Sequence, residues 1–335
     1  MSSLQKLNIE NILSNYNIGK LISYEKSNFG VSNENYILKT TSGKYILRKY
    51  AFHKTFSNVN FEIKFLNYLK NKNFSYKIPF PIKSKDGKYL LKINKSLFYI
   101  YRFIEGETIN RKLEKKHLKQ LAKVMSYLHN LIEKSNLNNS KGKGSVFNKA
   151  PVLKELNEFR KLILKKPAKD KKDNIFLKES EILISILKSL DCNEYLKYKK
   201  YPLHRDINQE NIIFKKDKLV GIIDFENVSV INDTFIKDIS VTIQYCCRDN
   251  REYKIDLNLA KYFLEEYNKY RKLSKIDISL IPDIISAGSI EDFSYVYWLF
   301  LNDRKRAKLY RLKLYSKTAQ WYNKNKEKII STLLG

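Results

Sequence analysis

The sequence predicts an α+β chain in two lobes: a small antiparallel, β-rich lobe over 1–104 and a larger, mainly helical lobe over 105–335. Three observations predict it. Short apolar runs broken by turn residues fill the first hundred positions, as in paired strands. After Glu107 the apolar residues recur at helical spacing instead. The chain has 335 residues, 43% of them hydrophobic, which is enough to bury a core in each of two lobes.

The elements follow in order. SNENYILKTTSGKYILRKY (32–50) reads as a hairpin, with Thr41-Ser42-Gly43-Lys44 turning between two apolar runs. NVNFEIKFLNYLKNKN (58–73) reads as a helix, with Phe61, Phe65, Tyr68 and Leu69 on one stripe and Asn58 or Asn60 as its cap. Pro79 and Pro81 stop any helix, Asp86-Gly87 turns between two short strands, and LFYIYRFIEG (97–106) is a buried strand ending at Gly106. HLKQLAKVMSYLHNLI (117–132) places Leu118, Leu121, Val124, Met125 and Leu128 on one helical face. The stretches 134–145 and 165–174 read as polar connections, with helices near 151–164 and 177–190. Residues 201–226 read as strand, loop and hairpin, and from about 236 the chain is helical again.

Lys and Arg total 64 against 35 Asp and Glu, a net charge of +29. The lysines are spread along the whole chain, with no zinc finger, basic helix or RNA-recognition signature. A compositional bias toward Lys, Asn and Ile accounts for the charge more simply than a nucleic-acid partner does. The field still favours anions such as ATP over polycations. The longest apolar runs, such as YVYWLFL (295–301), fall far short of the roughly 18 residues a membrane span needs. MSSLQKLNIENILSNY lacks a signal-peptide layout, and Cys192, Cys246 and Cys247 have neither metal nor disulfide spacing. A cytoplasmic protein with reduced thiols is expected, its oligomeric state open.

Chemistry concentrates in LHRDINQENIIFKKDKLVGIIDFE (203–226). Phosphoryl transfer from ATP needs magnesium held against the phosphates and a carboxylate at the attacking hydroxyl. Asp206, in a loop, suits the carboxylate role. Asn211 returns to the same cleft with an amide oxygen, and Asp224 emerges from the apolar run Val220-Gly221-Ile222-Ile223. One carboxylate and one amide, completed by phosphate oxygens, suit magnesium.

HRDINQEN followed by IIDFE resembles the aminoglycoside phosphotransferase and choline kinase superfamily, from about residue 20 to about 325. The resemblance implies a bilobal protein-kinase-like fold and an ATP- and Mg2+-dependent transfer to a small hydroxylated acceptor. It makes Asp206 the catalytic base, Asn211 and Asp224 the magnesium ligands, and Asp238 of IKDIS the support of the catalytic loop. His204 would brace that loop. Arg205 departs from the family's usual Gly and would pair with a carboxylate such as Glu226, or reach substrate. SNFGVSNENYIL (27–38) resembles the nucleotide-covering loop, which brings backbone amides of Ser32 and Asn33 to phosphate. YILRKY offers Arg48 or Lys49 to the α- and β-phosphates; matching Leu-basic favours Arg48, with Ile46 lining the adenine pocket and Glu62 as ion-pair partner. Backbone groups of Arg102 and Ile104, in the expected hinge YRFIEGE, would meet the adenine edge.

A protein kinase shares the His-Arg-Asp-x4-Asn pattern. The chain has no Gly-x-Gly-x-x-Gly loop and no Ala-Pro-Glu, and only thirteen residues separate Asp224 from Asp238. A pseudokinase is disfavoured because Asp206, Asn211 and Asp224 are all present. For the acceptor, EDFSYVYWLFLNDRKR (291–306) offers Asp292, Tyr295, Trp298 and Asp303 near helical spacing. An aromatic wall beside an acid would suit a choline-like headgroup, while a core stripe is the simpler reading. Homoserine, choline, ethanolamine and a sugar such as methylthioribose all fit. The general shape of the chain, including IIDFEN and the closing segment RKRAKLYRLKLYSKTAQWYNKN, looks slightly closer to a homoserine-kinase-like branch, and IDFENVSVIND resembles bacterial choline kinases.

Overall fold

β1 (Leu21–Lys26), β2 (Glu34–Thr40) and β3 (Gly43–Lys49) open the first lobe, followed by helix α1 (Phe56–Asn71). β4 (Leu91–Ile93) and β5 (Ser96–Arg102) complete an antiparallel sheet of order β1-β2-β3-β5-β4. The computed structural model describes residues 9–27, 33–51, 53–138, 149–249 and 252–335. Side chains alternate across β3 as the two-residue strand period requires. Tyr45 and Leu47 pack with Ile9, Leu13 and Tyr16 on one face. Ile46 packs on the other with Val59 and Ile63 of α1 and with Tyr99 and Tyr101 of β5.

Three local expectations shift. The cap of α1 is Thr55 rather than Asn58 or Asn60: its hydroxyl accepts from Asn58 N, and the Asn58 side chain accepts from Thr55 N, both at 3.2 Å. α1 buries Glu62, Ile63 and Leu66 more deeply than Phe61 or Tyr68, because it packs against the sheet as well as the second lobe. Asp86-Gly87 does turn, but β4 and β5 are joined at Asn94-Lys95, where Asn94 takes φ +53°.

Gly106 carries the chain out of β5 at φ +143°, and a Cβ there would stand 2.5 Å from the Phe214 carbonyl oxygen. Beyond it Glu107 and Phe214 exchange backbone hydrogen bonds of 2.8 and 2.9 Å. The second lobe then runs through α2 (Lys115–Glu133), α3 (Lys149–Leu164), α4 (Lys171–Ser189) and the short α5 (Asn193–Lys197). The five apolar residues read on one face of α2 are all fully buried. α4 starts earlier than expected because Asp170 caps it in a capping box with Asp173, so the charged connection is short.

β6 (Tyr201–Pro202), β7 (Ile212–Lys215), β8 (Lys218–Ile222) and β9 (Asn232–Asp233) follow, with β6 pairing β9 and β7 pairing β8. The chain closes with α6 (Phe235–Cys246), α7 (Leu257–Asn268), α8 (Lys275–Asn302), α9 (Leu309–Lys324) and α10 (Lys326–Leu334). α8 is apolar nearly all round and runs through the core, with α6 and α9 packed against it. Cys246 and Cys247 are free and buried. No helix among the described residues is long and apolar enough to cross a membrane.

Candidate active site

The loop between β6 and β7 is pinned from below. Asp238, fully buried at the start of α6, accepts from Arg205 N at 2.5 Å and lies 3.3 Å from His129 Nε2; His129 Nδ1 meets Tyr267 Oη at 2.7 Å. Arg205 takes φ +59°, and the backbone bond to Asp238 holds it in that left-handed conformation. His204 is buried, its Nε2 2.9 Å from the Ile223 carbonyl oxygen and its ring edge-on to Phe225. Burial lowers its pKa, so it stands as a neutral brace between the loop and the end of β8.

Asp206 is placed by two amides. Asn208 Nδ2 donates to Oδ1 at 2.7 Å, and Asn211 Nδ2 donates to Oδ2 at 3.0 Å and to the Asp206 carbonyl at 2.8 Å. Desolvation, and then the charge of Asp224, push its pKa well up, which makes it a stronger proton acceptor. With its NH2 committed to Asp206, Asn211 has its amide oxygen for a cation. Asp224 follows β8 at φ +68°, a turn that throws its carboxylate out of the hairpin. Asn211 and Asp224 offer hard oxygens with a single negative charge, a donor set that fits magnesium completed by phosphate and water.

The first lobe meets this edge through Arg48. Its guanidinium is 97% buried in side-chain terms, donating to Asp224 Oδ1 at 2.9 Å and Asn35 Oδ1 at 3.1 Å, with Glu62 Oε1 at 3.9 Å. Glu62 is caged by Tyr50 Oη at 2.8 Å and Tyr99 Oη at 3.3 Å, and desolvation lifts its pKa to about 7. Lys49 points to the other face and pairs with Glu34. Asn33 Nδ2 donates to Glu226 at 2.7 Å, while its Oδ1 accepts from Ala51 N at 3.0 Å. Ser32 lies outside the described residues. Ile46 is buried two residues before Arg48 on β3. The Arg102 guanidinium lies over Tyr45, and Ile104 is buried against Gly221.

Glu226 is not the partner of Arg205. It holds Asn33 and Lys54, the latter at 3.3 Å, and so ties the first lobe to the turn after Asp224. Arg205 turns instead toward Asp233 of β9, 3.6 Å away.

Asp206 also lines a cavity of about 400 Å3, walled mainly by the second lobe and closed on one side by His53 and Lys54 of the first. Gly288, Glu291, Asp292, Tyr295, Val296 and Leu299 of α8 line it, a stripe of i, i+3, i+4, i+7, i+8 and i+11. Trp298 is not part of it; it stacks on Tyr295 at 5.8 Å and packs on the core, so no Trp wall faces the cavity. Asp303 pairs with Arg306. Sequence reasoning missed Lys237, Tyr245, Arg311 and Tyr315, which reach the cavity from α6 and α9. The signals on offer were two adjacent acids in the apolar run of α8 and a lysine beside Asp238.

This geometry is that of a phosphotransferase, and the comparisons agree. The chain belongs to the phosphotransferase enzyme family APH, whose model matches residues 25–273, and it is a small-molecule kinase. A homoserine kinase of Sinorhizobium fredii is 27% identical over 278 residues, covering 83% of this chain and 79% of that protein. A spectinomycin phosphotransferase solved with ADP and spectinomycin superposes at a TM-score of 0.72, covering 96% of this chain and 98% of its own, at 15% identity. A microcompartment-associated aminopropanol kinase superposes at 0.69, covering 97% and 98%, at 13% identity.

Proposed function

We propose that the chain moves the γ-phosphate of ATP to the hydroxyl of a small metabolite, with homoserine first among the acceptors ahead of choline, ethanolamine and sugar-like alcohols. One observation carries the reading: the Asp206 carboxylate faces the acceptor cavity while Asn211 ties it to the edge where Asp224 and Arg48 meet. Asp206 accepts the proton of the attacking hydroxyl; the oxygen–phosphorus bond forms as the β–γ bridge breaks, and ADP leaves. Asn211 and Asp224 would hold magnesium, which supplies neutralisation of phosphate charge. Arg48 leaves Asp224 for the α- and β-phosphates, and Glu62, with its two tyrosines, keeps the guanidinium oriented. Asn33, held by Glu226, would meet phosphate through its backbone amide. Adenine lies on Ile46 against the backbone of Arg102–Ile104. ATP use and three free cysteines support a cytoplasmic setting.

The test is ADP release by purified protein with ATP and magnesium across homoserine, choline, ethanolamine, methylthioribose and an aminoglycoside, with Asp206→Asn alongside. Stimulation by homoserine that vanishes in Asp206→Asn is expected. Stimulation by an aminoglycoside alone would overturn the acceptor, and stimulation that survives Asp206→Asn would overturn the base.

A further inference from the structure

The cavity beside Asp206 holds charges of both signs that have not paired with one another. Lys237 is only 7% exposed and lines the cavity, yet it makes no ion pair and no side-chain hydrogen bond among the described residues. Its seat is built: a Cβ on Gly288 would stand 2.8 Å from Nζ, so α8 makes room for the ammonium by carrying glycine there. Across the same space, Glu291 makes no ion pair among the described residues, and Asp292 has one long hydrogen bond, 3.4 Å from Tyr245 Oη. Buried charges are costly unless paired, and here a buried ammonium and two half-buried carboxylates line one cavity without an ion pair to one another.

A ligand with an ammonium and a carboxylate on one carbon supplies both missing partners at once. A neutral alcohol supplies neither. A polycation would satisfy the acids but crowd Lys237. We propose that Lys237 binds the carboxylate, and Glu291 with Asp292 the ammonium, of an α-amino acid whose side-chain hydroxyl is presented to Asp206. This rests on the reading of the cavity as the acceptor site, and it assigns specificity to residues of α6 and α8 rather than to the aromatic pair Tyr295 and Trp298.

The test separates the two charged ends by truncating the ligand. Binding by calorimetry and ADP release are measured for L-homoserine, L-threonine, 3-aminopropan-1-ol, which lacks the carboxylate, and 4-hydroxybutanoate, which lacks the amine. One of the amino acids should bind at least about tenfold tighter than either truncated alcohol. Lys237→Met should weaken the amino acid and 4-hydroxybutanoate by roughly 10- to 100-fold, the factor for a charge-assisted hydrogen bond, and leave 3-aminopropan-1-ol unchanged. Glu291→Gln and Asp292→Asn should do the reverse. Melting curves of each variant identify any that misfolds, and the conservative Lys237→Arg should recover part of the loss. Truncated alcohols that match the amino acids, or a Lys237→Met variant that weakens every ligand alike without a change in Tm, would overturn the assignment. Transfer to all alcohols with equal kcat/KM leaves the phosphotransferase reading standing and this one fallen. Selective amino-acid binding without ADP release does the opposite, and neither binding nor transfer with any of the four overturns both.

Discussion

The two sides of Asp206 handle buried charge in opposite ways. On the nucleotide side Arg48 is closed onto Asp224 at 2.9 Å, Glu62 is held by two tyrosines, and Glu226 is held by Asn33 and Lys54. On the acceptor side Lys237 and Glu291 form no ion pair among the described residues. Under the proposed function a ligand arriving at the first side must exchange existing pairs, because Arg48 and Asp224 would part for phosphate and metal. A ligand arriving at the second only has to complete what is missing. The first arrangement stabilises the empty protein. The second, under the proposed assignment, gives up stability for recognition.

The comparison can be broken at several points. Asp206→Asn should cost the largest effect, about 100- to 10,000-fold in kcat with little change in the KM for ATP, read by ADP release. Arg48→Met leaves Glu62 and Asp224 without their shared cation, and should lower stability by about 3–5 kcal/mol in denaturant unfolding. Lys237→Met, which breaks no pair, should be near neutral or stabilising in the same measurement; equal losses from the two would erase the contrast. Tyr50→Phe removes one hydrogen bond to the Glu62 carboxylate, for about 1 kcal/mol, and should raise the KM for ATP more than it lowers kcat.

The smallest effect is a pH slope. Desolvation raises the pKa of Glu291 from 4.5 to about 7, against the opposing pull of Lys237 and Arg205 and with Asp292 and Asp233 adding to it. A raised folded-state value means stability that is full below pH 4.5 and is lost as pH rises through about 7. Glu291→Gln should therefore flatten the fall of Tm over that window. An unchanged slope would place the titration elsewhere, Glu62 being the other carboxyl lifted to about 7.

The order of elements and the chemistry-bearing loop were legible in the sequence because both are local. Alternation in 32–50 and helical spacing in 117–132 are set by backbone geometry within a few residues, and the structure has β2, β3 and α2 there. Asp206, Asn211 and Asp224 come together because one loop and one hairpin carry all three. Arg48, favoured over Lys49 by the Leu-basic match, is the one that meets Asp224, and Lys49 turns to Glu34 because neighbours on β3 face opposite ways.

What the sequence could not carry are the partners drawn from distant elements. Arg205 faces Asp233 rather than Glu226 because the β6–β9 pairing brings Asp233 under the loop, while Glu226 is taken by residues almost two hundred positions earlier. The stripe Asp292, Tyr295, Trp298 failed at its third member for a geometric reason. Steps of three residues fall about 60° short of a full turn, so Trp298 has rotated off the face that Asp292 holds. The cavity follows i, i+3, i+4 and i+7 from Gly288 instead, and which face of α8 looks inward is fixed by α6 and α9 packing around it. The sequence by itself determined the local arrangement of Asp206, Asn211 and Asp224, because short-range spacing constrains it. Tertiary packing alone decided which charges line the cavity beside Asp206, because helix rotation and long-range docking leave no period in the chain.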